Sequence, residues 1–346
     1  MPDLTPAQLH DVVTQTCSAL GSADREAALV ADQLVGANLA GHDSHGIGML
    51  PLYVAHALTG ELHVNEHVEV LNDTGPLVAL DGRAGFGQVM GYEAMEIGID
   101  RARQHGVSLV GLRNSFHIGR IGHWAEQCSA AGLVSLHLVN VAGHGAIVAP
   151  FGGASARLGT NPVCIGIPGR DGRPAVMLDM ATSTIALGKA RVALNKGERV
   201  PADTVVDANG NLSDDPSEVI GPDHGGALVA MGEHKGSGLA IMCELVGAAL
   251  LGGFTMREQD GPGRIYNSMV TVVIDPEAVG GAEHLLAETE ATVEWLRSGR
   301  TRVGVDEVLM PGEPEQRARI ARAERIPVDD ETWAQVQAAA AAAGVS

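Results

Sequence analysis

An α/β fold with helical ends is what the sequence predicts, on three observations. Apolar residues recur at helical spacing through the first 60 residues and again in the tail that holds Ala338 to Ala343. From about residue 76, short apolar runs alternate with helical stretches, the pattern of strands joined by helices. Met269 to Ile274 is strongly β-branched, which suits a strand and not a helix.

The elements follow in order. Thr5-Pro6-Ala7-Gln8 is a capping box, with Thr5 as N-cap, Pro6 at the first helical position and Gln8 at the third. Leu9, Val12, Val13 and Leu20 continue that helix, and Gly21 stops it. A second helix is predicted from about Ala23 to Ala40, with Leu29, Val30, Leu34 and Val35 on its core face and Gly41 at its end. A third should start after Asp43-Ser44, either of which can cap it. Leu77-Val78-Ala79-Leu80 reads as a strand closed by Asp81-Gly82. A helix from Tyr92 to His105 leads into a strand from Val107 to Leu112, and a helix from Gly122 to Ala131 leads into a strand from Leu133 to Val141. Val163 to Ile167 and Ala175 to Leu178 add two strands. A long helix, Lys235 to Leu251, precedes a loop with Gly261-Pro262-Gly263. Residues 277 to 300 are helical and charged, Pro311-Gly312-Glu313-Pro314-Glu315 reads as a turn, and Gly344 caps the last helix. No internal repeat is visible.

Composition narrows the function. The chain has 346 residues, 45% of them hydrophobic, enough for two or three lobes with sizeable cores. Lys and Arg number 23 against 42 Asp and Glu, a net charge of −19. That balance opposes docking on nucleic-acid phosphates or anionic lipid, and aromatics at 3% leave little for base stacking. Glycine, at 45 residues, has no three-residue period, which excludes collagen, and the apolar content opposes disorder. Cys17, Cys128, Cys164 and Cys243 are far apart and form no zinc spacing; they read as small buried hydrophobes in a reducing compartment. The first residues lack the features of a secretory signal, so the expected location is cytoplasmic. The longest apolar stretch, Gly238 to Met256, is broken by Glu244 and reads as a buried core helix, not a membrane span.

Several familiar motifs are absent: GxxxxGK[ST], HExxH, GxSxG and a correctly spaced GxGxxG, since Gly85-Phe86-Gly87-Gln88-Val89-Met90-Gly91 has the wrong spacing. A nucleotide, if bound, is not held by a Rossmann turn. Five other constellations stand out. Gly41-His42-Asp43-Ser44-His45-Gly46-Ile47-Gly48 packs an acid, a hydroxyl and two imidazoles at a helix start; it fits either ordinary capping or a ligand site. Asn114 to His123 lies between a strand and a helix, with His117 able to exchange protons near neutrality and Arg120 either a phosphate clamp or a surface cation. Gly159-Thr160-Asn161-Pro162 reads first as a structural turn. Asp179 ends an apolar strand ahead of Met180-Ala181-Thr182-Ser183, where it could cap a helix or orient a histidine. Gly232-Glu233-His234-Lys235-Gly236 opens an apolar helix, a weak phosphate signal. The 14 histidines show no third ligand at metal spacing, so no metal is expected; a metal-dependent hydrolase using His42, Asp43, His45 and His117 is the alternative reading.

Taken in order, Asp43-Ser44-His45-Gly46, Ser115-Phe116-His117-Ile118-Gly119, Gly159-Thr160-Asn161-Pro162, Asp179-Met180-Ala181-Thr182-Ser183, Gly188-Lys189, His234-Lys235-Gly236 and Pro311-Gly312-Glu313 resemble one family over about residues 5 to 335. It is the type-2 malate/L-lactate dehydrogenases, and the stretches around His45 and His117 are closest to the hydroxycarboxylate dehydrogenase B branch. The resemblance implies a non-Rossmann fold with a mixed sheet, flanking helices and a helical N- and C-terminal lobe. It implies three lobes: 1–75 with 310–346, helical; 76–125 with 225–309, cofactor-binding; and 126–224, inserted. It also implies a cytoplasmic homodimer, its active site between lobes, that uses NAD or NADP to reduce 2-oxo acids to 2-hydroxy acids and to run the reverse oxidation.

Site roles are carried over from the resemblance. His117 matches the acid/base, His45 a histidine beside the nicotinamide, Ser44 a partner of His45 or substrate, and Asp179 the acid that orients the catalytic network. Gly119, Arg120, Ile121, the segment Met177, Leu178, Asp179, Met180 and Ala181, His234, Asn267, and Gly312, Glu313, Pro314 and Glu315 match cofactor-contacting positions, as does His45. Tyr53 matches a substrate-contacting position. One departure matters. Malate-type members carry an arginine five residues after the serine to bind a substrate carboxylate, and here that residue is Met49. Bidentate arginine pairing is hard to replace, so Met49 disfavours dicarboxylates and suits an apolar or aromatic 2-oxo acid.

Overall fold

The computed structural model describes residues 3–220, 225–257 and 265–345; the predicted Gly261-Pro262-Gly263 loop lies outside the described residues. In chain order the elements are β1 (Asp3–Leu4), α1 (Pro6–Ala19), α2 (Asp24–Leu39), α3 (Leu50–Leu58), β2 (Glu69–Asp73), β3 (Leu77–Asp81), α4 (Gly87–His105), β4 (Val107–Ser115), α5 (Gly122–Ala130) and β5 (Val134–Ala142). Then come β6 (Val163–Pro168), β7 (Pro174–Met180), α6 (Leu187–Lys196), β8 (Val205–Val206), β9 (Leu212–Ser213), β10 (Ala227–Leu228), α7 (His234–Leu245), β11 (Tyr266–Ile274), α8 (Ala282–Arg297), α9 (Glu313–Ala321), β12 (Ile326–Pro327) and α10 (Asp330–Ala343). A seven-stranded mixed sheet runs β2-β3-β4-β11-β5-β6-β7. Its β2/β3 pair is antiparallel and its β3/β4 pair parallel, with Leu77 opposite Leu109.

By internal contacts the chain divides into two compact units: Met1–His137 with Cys164–Asp179 and Thr271–Ser346, and Leu138–Val163 with Met180–Val270. Both ends of the chain therefore fall in the first unit. There the capping box forms as the sequence dictates: the Gln8 amide donates to Thr5 Oγ1 at 3.1 Å, and the Thr5 amide donates to Gln8 Oε1 at 2.9 Å. Leu9, Val13, Thr16 and Cys17 then share the buried stripe of α1, which packs on α2 and α10. β1 pairs antiparallel with β12, tying the first residues to the approach of α10. The parallel β3/β4 pair is bridged by α4, a βαβ unit whose helix lies on β4.

The second unit holds a small antiparallel sheet, β10-β8-β9, and a core of Val148, Leu158, Ala190, Val205, Leu228 and Ala240. All four cysteines are free and buried, as their spacing led us to expect. Among the described residues no helix is long and apolar enough to cross a membrane.

Three expectations need correction. The third helix does not start after Ser44: two 3-10 turns, Asp43–His45 and Ile47–Met49, come first, and α3 begins at Leu50 with Pro51 in its first turn. The long apolar helix ends at Leu245, six residues early, and is only half buried: Ala240, Cys243 and Glu244 face inward while Ile241, Met242 and Leu245 are exposed. Residues 311–315 are not simply a turn, because Gly312, at φ +94°, hands over to α9 with Pro314 in its first turn. The sequence reading also missed β2, α6 and the small sheet, whose strands of two residues carry no periodicity to detect.

Candidate active site

In the first unit, α2 ends in a knot that fixes the imidazole loop. Asn38 donates through Nδ2 to Asp43 Oδ1 at 2.7 Å and accepts the Ile47 amide at 2.9 Å. Arg322 donates to the Asn38 carbonyl at 2.6 Å and to Asp43 Oδ1 at 2.7 Å. A side chain at Gly46 would place its Cβ 2.2 Å from Asn38 Oδ1, so only glycine lets the loop close. Asp43 is therefore spent on structure, though not as the expected helix cap, since neither 3-10 turn nor α3 has a side-chain cap. Ser44 and His45 remain, with Ser44 Oγ 3.0 Å from His45 Nδ1.

His117 arrives from the end of β4. Asn114, at φ +52°, turns the chain, and its side-chain amide donates to Asp81 Oδ1 at 2.9 Å. The first turn of α4 then lies on the His117 backbone: a Cβ at Gly87 would sit 2.2 Å from the His117 carbonyl oxygen. The glycine run that fails as a nucleotide turn thus serves to bring α4 against the site. The next residue, Gln88, is fully buried and donates through Nε2 to the Tyr53 hydroxyl at 2.7 Å. That hydroxyl is 2.7 Å from His117 Nδ1. Tyr53 is itself fully buried, gripped edge-on by Phe86 and Phe116 with ring centroids 5.9 and 5.8 Å away. Its burial pushes the hydroxyl pKa up, so the O–H keeps its proton at any working pH.

The His117 ring stacks on His45, centroids 5.6 Å apart and planes 17° from parallel. Both residues are half-buried. Burial of the His45 ring, with His42 and Arg120 nearby, lowers its pKa to about 4, so His45 is neutral at pH 7.

Arg120 is neither a free phosphate clamp nor a surface cation. Its side chain is 3% exposed, donates to Glu126 Oε1 at 2.5 Å and faces Asp179 Oδ2 at 3.6 Å. Burial opposes its charge, yet Glu126 and Asp179 outweigh burial and hold the guanidinium protonated. Glu126 is shared with Arg319 at 3.0 Å. Burial raises the Asp179 pKa, and Arg120, His42 and the Gly122 amide, which donates to Oδ2 at 2.9 Å, pull it back down. Glu315, on α9, accepts from or pairs with His42 Nε2 at 3.1 Å and is lowered by that bond.

The predicted cofactor segments of the first unit come together. The Met177 amide donates to the Pro311 carbonyl at 3.0 Å, joining residues 177–179 to 311–315. Asp179 joins the same segment to Arg120 and Gly122, near Gly119 and Ile121. Met49 is half-buried at the last residue of the second 3-10 turn, four residues before Tyr53. Met180, Ala181, His234 and Asn267 belong to the second unit. There Asn267 is buried and donates to the Asn140 carbonyl at 2.9 Å, while His234 is exposed at the start of α7 with its ring against Phe151. The α7 start is a poor phosphate cradle, because the Lys235, Gly236 and Ser237 amides already donate to Gly232, Met231 and Glu233 carbonyls. In Gly159-Thr160-Asn161-Pro162, the turn reading prevails: Asn161, at φ +26°, donates to the Ala240 carbonyl and to Glu244, and accepts the Val141 amide.

A metal-ligand set is not assembled: His42 is turned to Glu315 and Asp43 to Asn38 and Arg322, and the described residues contain no cluster of three His, Cys, Asp or Glu able to hold an ion. A surface cleft of about 450 Å³ lies in the first unit beside the Glu126–Arg319 pair, lined also by His10, Asp32 and His123. Gln88 is the residue that sequence reading missed; its only signal was the pair of glycines, Gly85 and Gly87, ahead of it.

Comparison with known proteins agrees with this arrangement. The family model for malate/L-lactate dehydrogenase matches residues 4–337. Hydroxycarboxylate dehydrogenase B of Escherichia coli O157:H7 is 46% identical over 97% of this chain and 93% of that protein. L-lactate dehydrogenase of Cupriavidus necator is 39% identical over 89% of this chain and 88% of its own length. A solved structure from E. coli, assigned to the malate/lactate dehydrogenases, superimposes with TM-score 0.94 at 44% identity, covering 100% of this chain and 96% of that one. With a family match across almost its whole length, a shared fold and the ordered histidine motifs in place, the chain belongs to the malate/L-lactate dehydrogenase family of oxidoreductases.

Proposed function

We propose that the protein is an NAD(P)-dependent 2-hydroxycarboxylate dehydrogenase that reduces 2-oxo acids to 2-hydroxy acids and oxidises them in reverse, with His117 as acid and base. One observation carries this reading. The half-buried His117 ring is held at Nδ1 by a buried hydroxyl and stacked on a histidine that stays neutral at pH 7. A ring held in that way has one defined place for its exchangeable proton. During reduction His117 passes that proton to the oxygen on substrate C2, and in the reverse direction it removes it; such help is worth roughly 10²–10⁴-fold. His45 contributes hydrogen bonding, not charge, and Ser44 holds its ring.

The residues fit a dinucleotide in part. Gly312 leaves a cradle beside Met177 that a Cβ would fill to within 3.3 Å. The first turn of α9 carries Glu313 and Glu315, which repel phosphate but suit sugar hydroxyls. Arg120 is paired with Glu126 and Asp179, which hold its charge beside Gly122. The nicotinamide, when bound, supplies or takes up the hydride. NAD and NADP both remain compatible with these groups. Apolar Met49 favours a substrate side chain without a second carboxylate. The exposed Ile241, Met242 and Leu245 face of α7 supports a homodimer, and four free cysteines support a reducing, cytoplasmic setting.

The test is nicotinamide absorbance with both cofactors against pyruvate, phenylpyruvate, oxaloacetate and a cyclic imino acid. An apolar 2-oxo acid should be preferred. Oxaloacetate as best substrate overturns the role of Met49, and no turnover with any of them overturns the reading itself.

A further inference from the structure

We propose that Gln88, acting through the Tyr53 hydroxyl, is a positioning residue that keeps His117 Nδ1 unprotonated and so places the ring's proton on Nε2. The inference rests on the reading of His117 as the proton-exchanging group. Its basis is a count of protons along a chain of two short hydrogen bonds. Gln88 Nε2 to Tyr53 oxygen is 2.7 Å, and Tyr53 oxygen to His117 Nδ1 is 2.7 Å. An amide nitrogen can only donate, so the Tyr53 oxygen accepts from Gln88. The hydroxyl has one proton, the Gln88 nitrogen cannot accept it, and His117 Nδ1 is the other group within hydrogen-bond distance, so the proton goes to Nδ1. A ring nitrogen that accepts carries no proton, so a neutral His117 holds its proton on Nε2.

Both Gln88 and Tyr53 are fully buried, so bulk water cannot take either place. Phe86 and Phe116 hold the phenol ring edge-on, and Gly87 lets the start of α4 sit on the His117 backbone. The chain is therefore directional and stiff. Tyr53 is then a relay to the histidine and not a substrate contact, since its hydroxyl is engaged on both sides. Reversing the first bond reverses the last. A carboxylate at position 88 can only accept, which turns the Tyr53 hydroxyl toward it and leaves the Tyr53 oxygen to accept from an Nδ1–H.

The experiment reads the tautomer directly. Full-length protein labelled with ¹⁵N-histidine is compared with Gln88→Glu and Tyr53→Phe, and the His117 ring signals are identified by their loss in His117→Ala. The wild type should show an unprotonated Nδ1 and a protonated Nε2 at neutral pH. Gln88→Glu should move the proton to Nδ1, and Tyr53→Phe should give a mixture of both forms. In both variants kcat should fall by roughly tenfold or more, on the scale of a lost buried hydrogen bond, with KM nearly constant. Tyr53→Phe keeps the ring and its packing, so it carries the test if Gln88→Glu does not fold. A wild-type His117 with its proton on Nδ1, or a tautomer unmoved in both variants, overturns the proposal. Full turnover in His117→Ala overturns instead the acid–base reading beneath it, whatever the tautomer shows.

Discussion

His117 and His137 sit in the same unit of the molecule, both against hydroxyl partners, and they end differently. His137 lies within β5 and is fully buried, with Nδ1 2.9 Å from Thr271 Oγ1 and Nε2 2.9 Å from Ser135 Oγ. Its hydrogen-bonding capacity closes on neighbouring strands. His117 lies just past the end of β4, is half-buried, and has its Nδ1 held from beneath by Tyr53 and Gln88. The difference sets a ring whose partners close within the sheet apart from the ring proposed to exchange the proton. Both have ordered rings, but only the second stands at a strand end, in stacking contact with another histidine from a separate loop.

Substituting each in turn gives the largest expected contrast. His117→Ala should lower turnover by roughly 10²–10⁴-fold while leaving the fold intact, because the side chain is not fully buried. His137→Gln should leave kcat within about a factor of two, since it touches neither the stacked pair nor the Tyr53 relay; it should instead lower unfolding free energy by about 1–3 kcal/mol through imperfect pairing of buried hydroxyls. Steady-state kinetics and denaturant unfolding of both variants check this. A large kcat loss in His137→Gln would erase the distinction.

Sequence alone singles out His117 by its motif but says nothing of what His137 does, and the reason is physical. The Ser135-Leu136-His137 stretch is an ordinary strand pattern, and nothing local says that residue 271, more than a hundred positions on, will supply the second hydroxyl. The helices at the ends were legible because their signals are local: Thr5 and Gln8 cap one, and Gly344 takes the left-handed conformation that ends the other. Ser44, His45, His117 and Asp179 stand out in the sequence through motif order. Gln88 was not, because its importance lies in reaching Tyr53 across 35 positions. The pairing of Arg120 was not legible for a related reason: Glu126 comes from the adjoining α5, but Asp179 is brought to it from β7, far along the chain.

A smaller effect is the response of the buried rings to pH. Burial lowers the His137 pKa to about 3, and burial chiefly lowers His45 and His123 to about 4. Below the ordinary value of about 6.5 the unfolded chain takes up protons that the native rings refuse. Stability therefore falls as pH drops from about 6.5 toward 4, and for His137 further toward 3, by about 1.4 kcal/mol per pH unit and per ring at most. Glu126 and Glu315, held low, act in the same direction on further acidification; Asp179, raised by burial, acts against it. His137→Gln should flatten the slope of unfolding free energy against pH between 6.5 and 4. An unchanged slope would mean that His137 is not among the rings that refuse the proton.

The smallest expected effect tests the position between these extremes. His45 has the lowered pKa of a buried ring but an exposed partner, Ser44, 3.0 Å from Nδ1. Water can replace an exposed hydroxyl, so Ser44→Ala should cost at most the net worth of one ordinary hydrogen bond, about 0.5–1.5 kcal/mol, or roughly a two- to twelve-fold fall in kcat/KM. The stack on His117 persists in that variant because it does not depend on Ser44. A fall well beyond this range, expressed in kcat and not in KM, would mean that Ser44 meets the substrate in the transition state and that the open network extends through both histidines. A fall confined to KM would instead leave Ser44 as a substrate-binding hydroxyl and the proton transfer to His117.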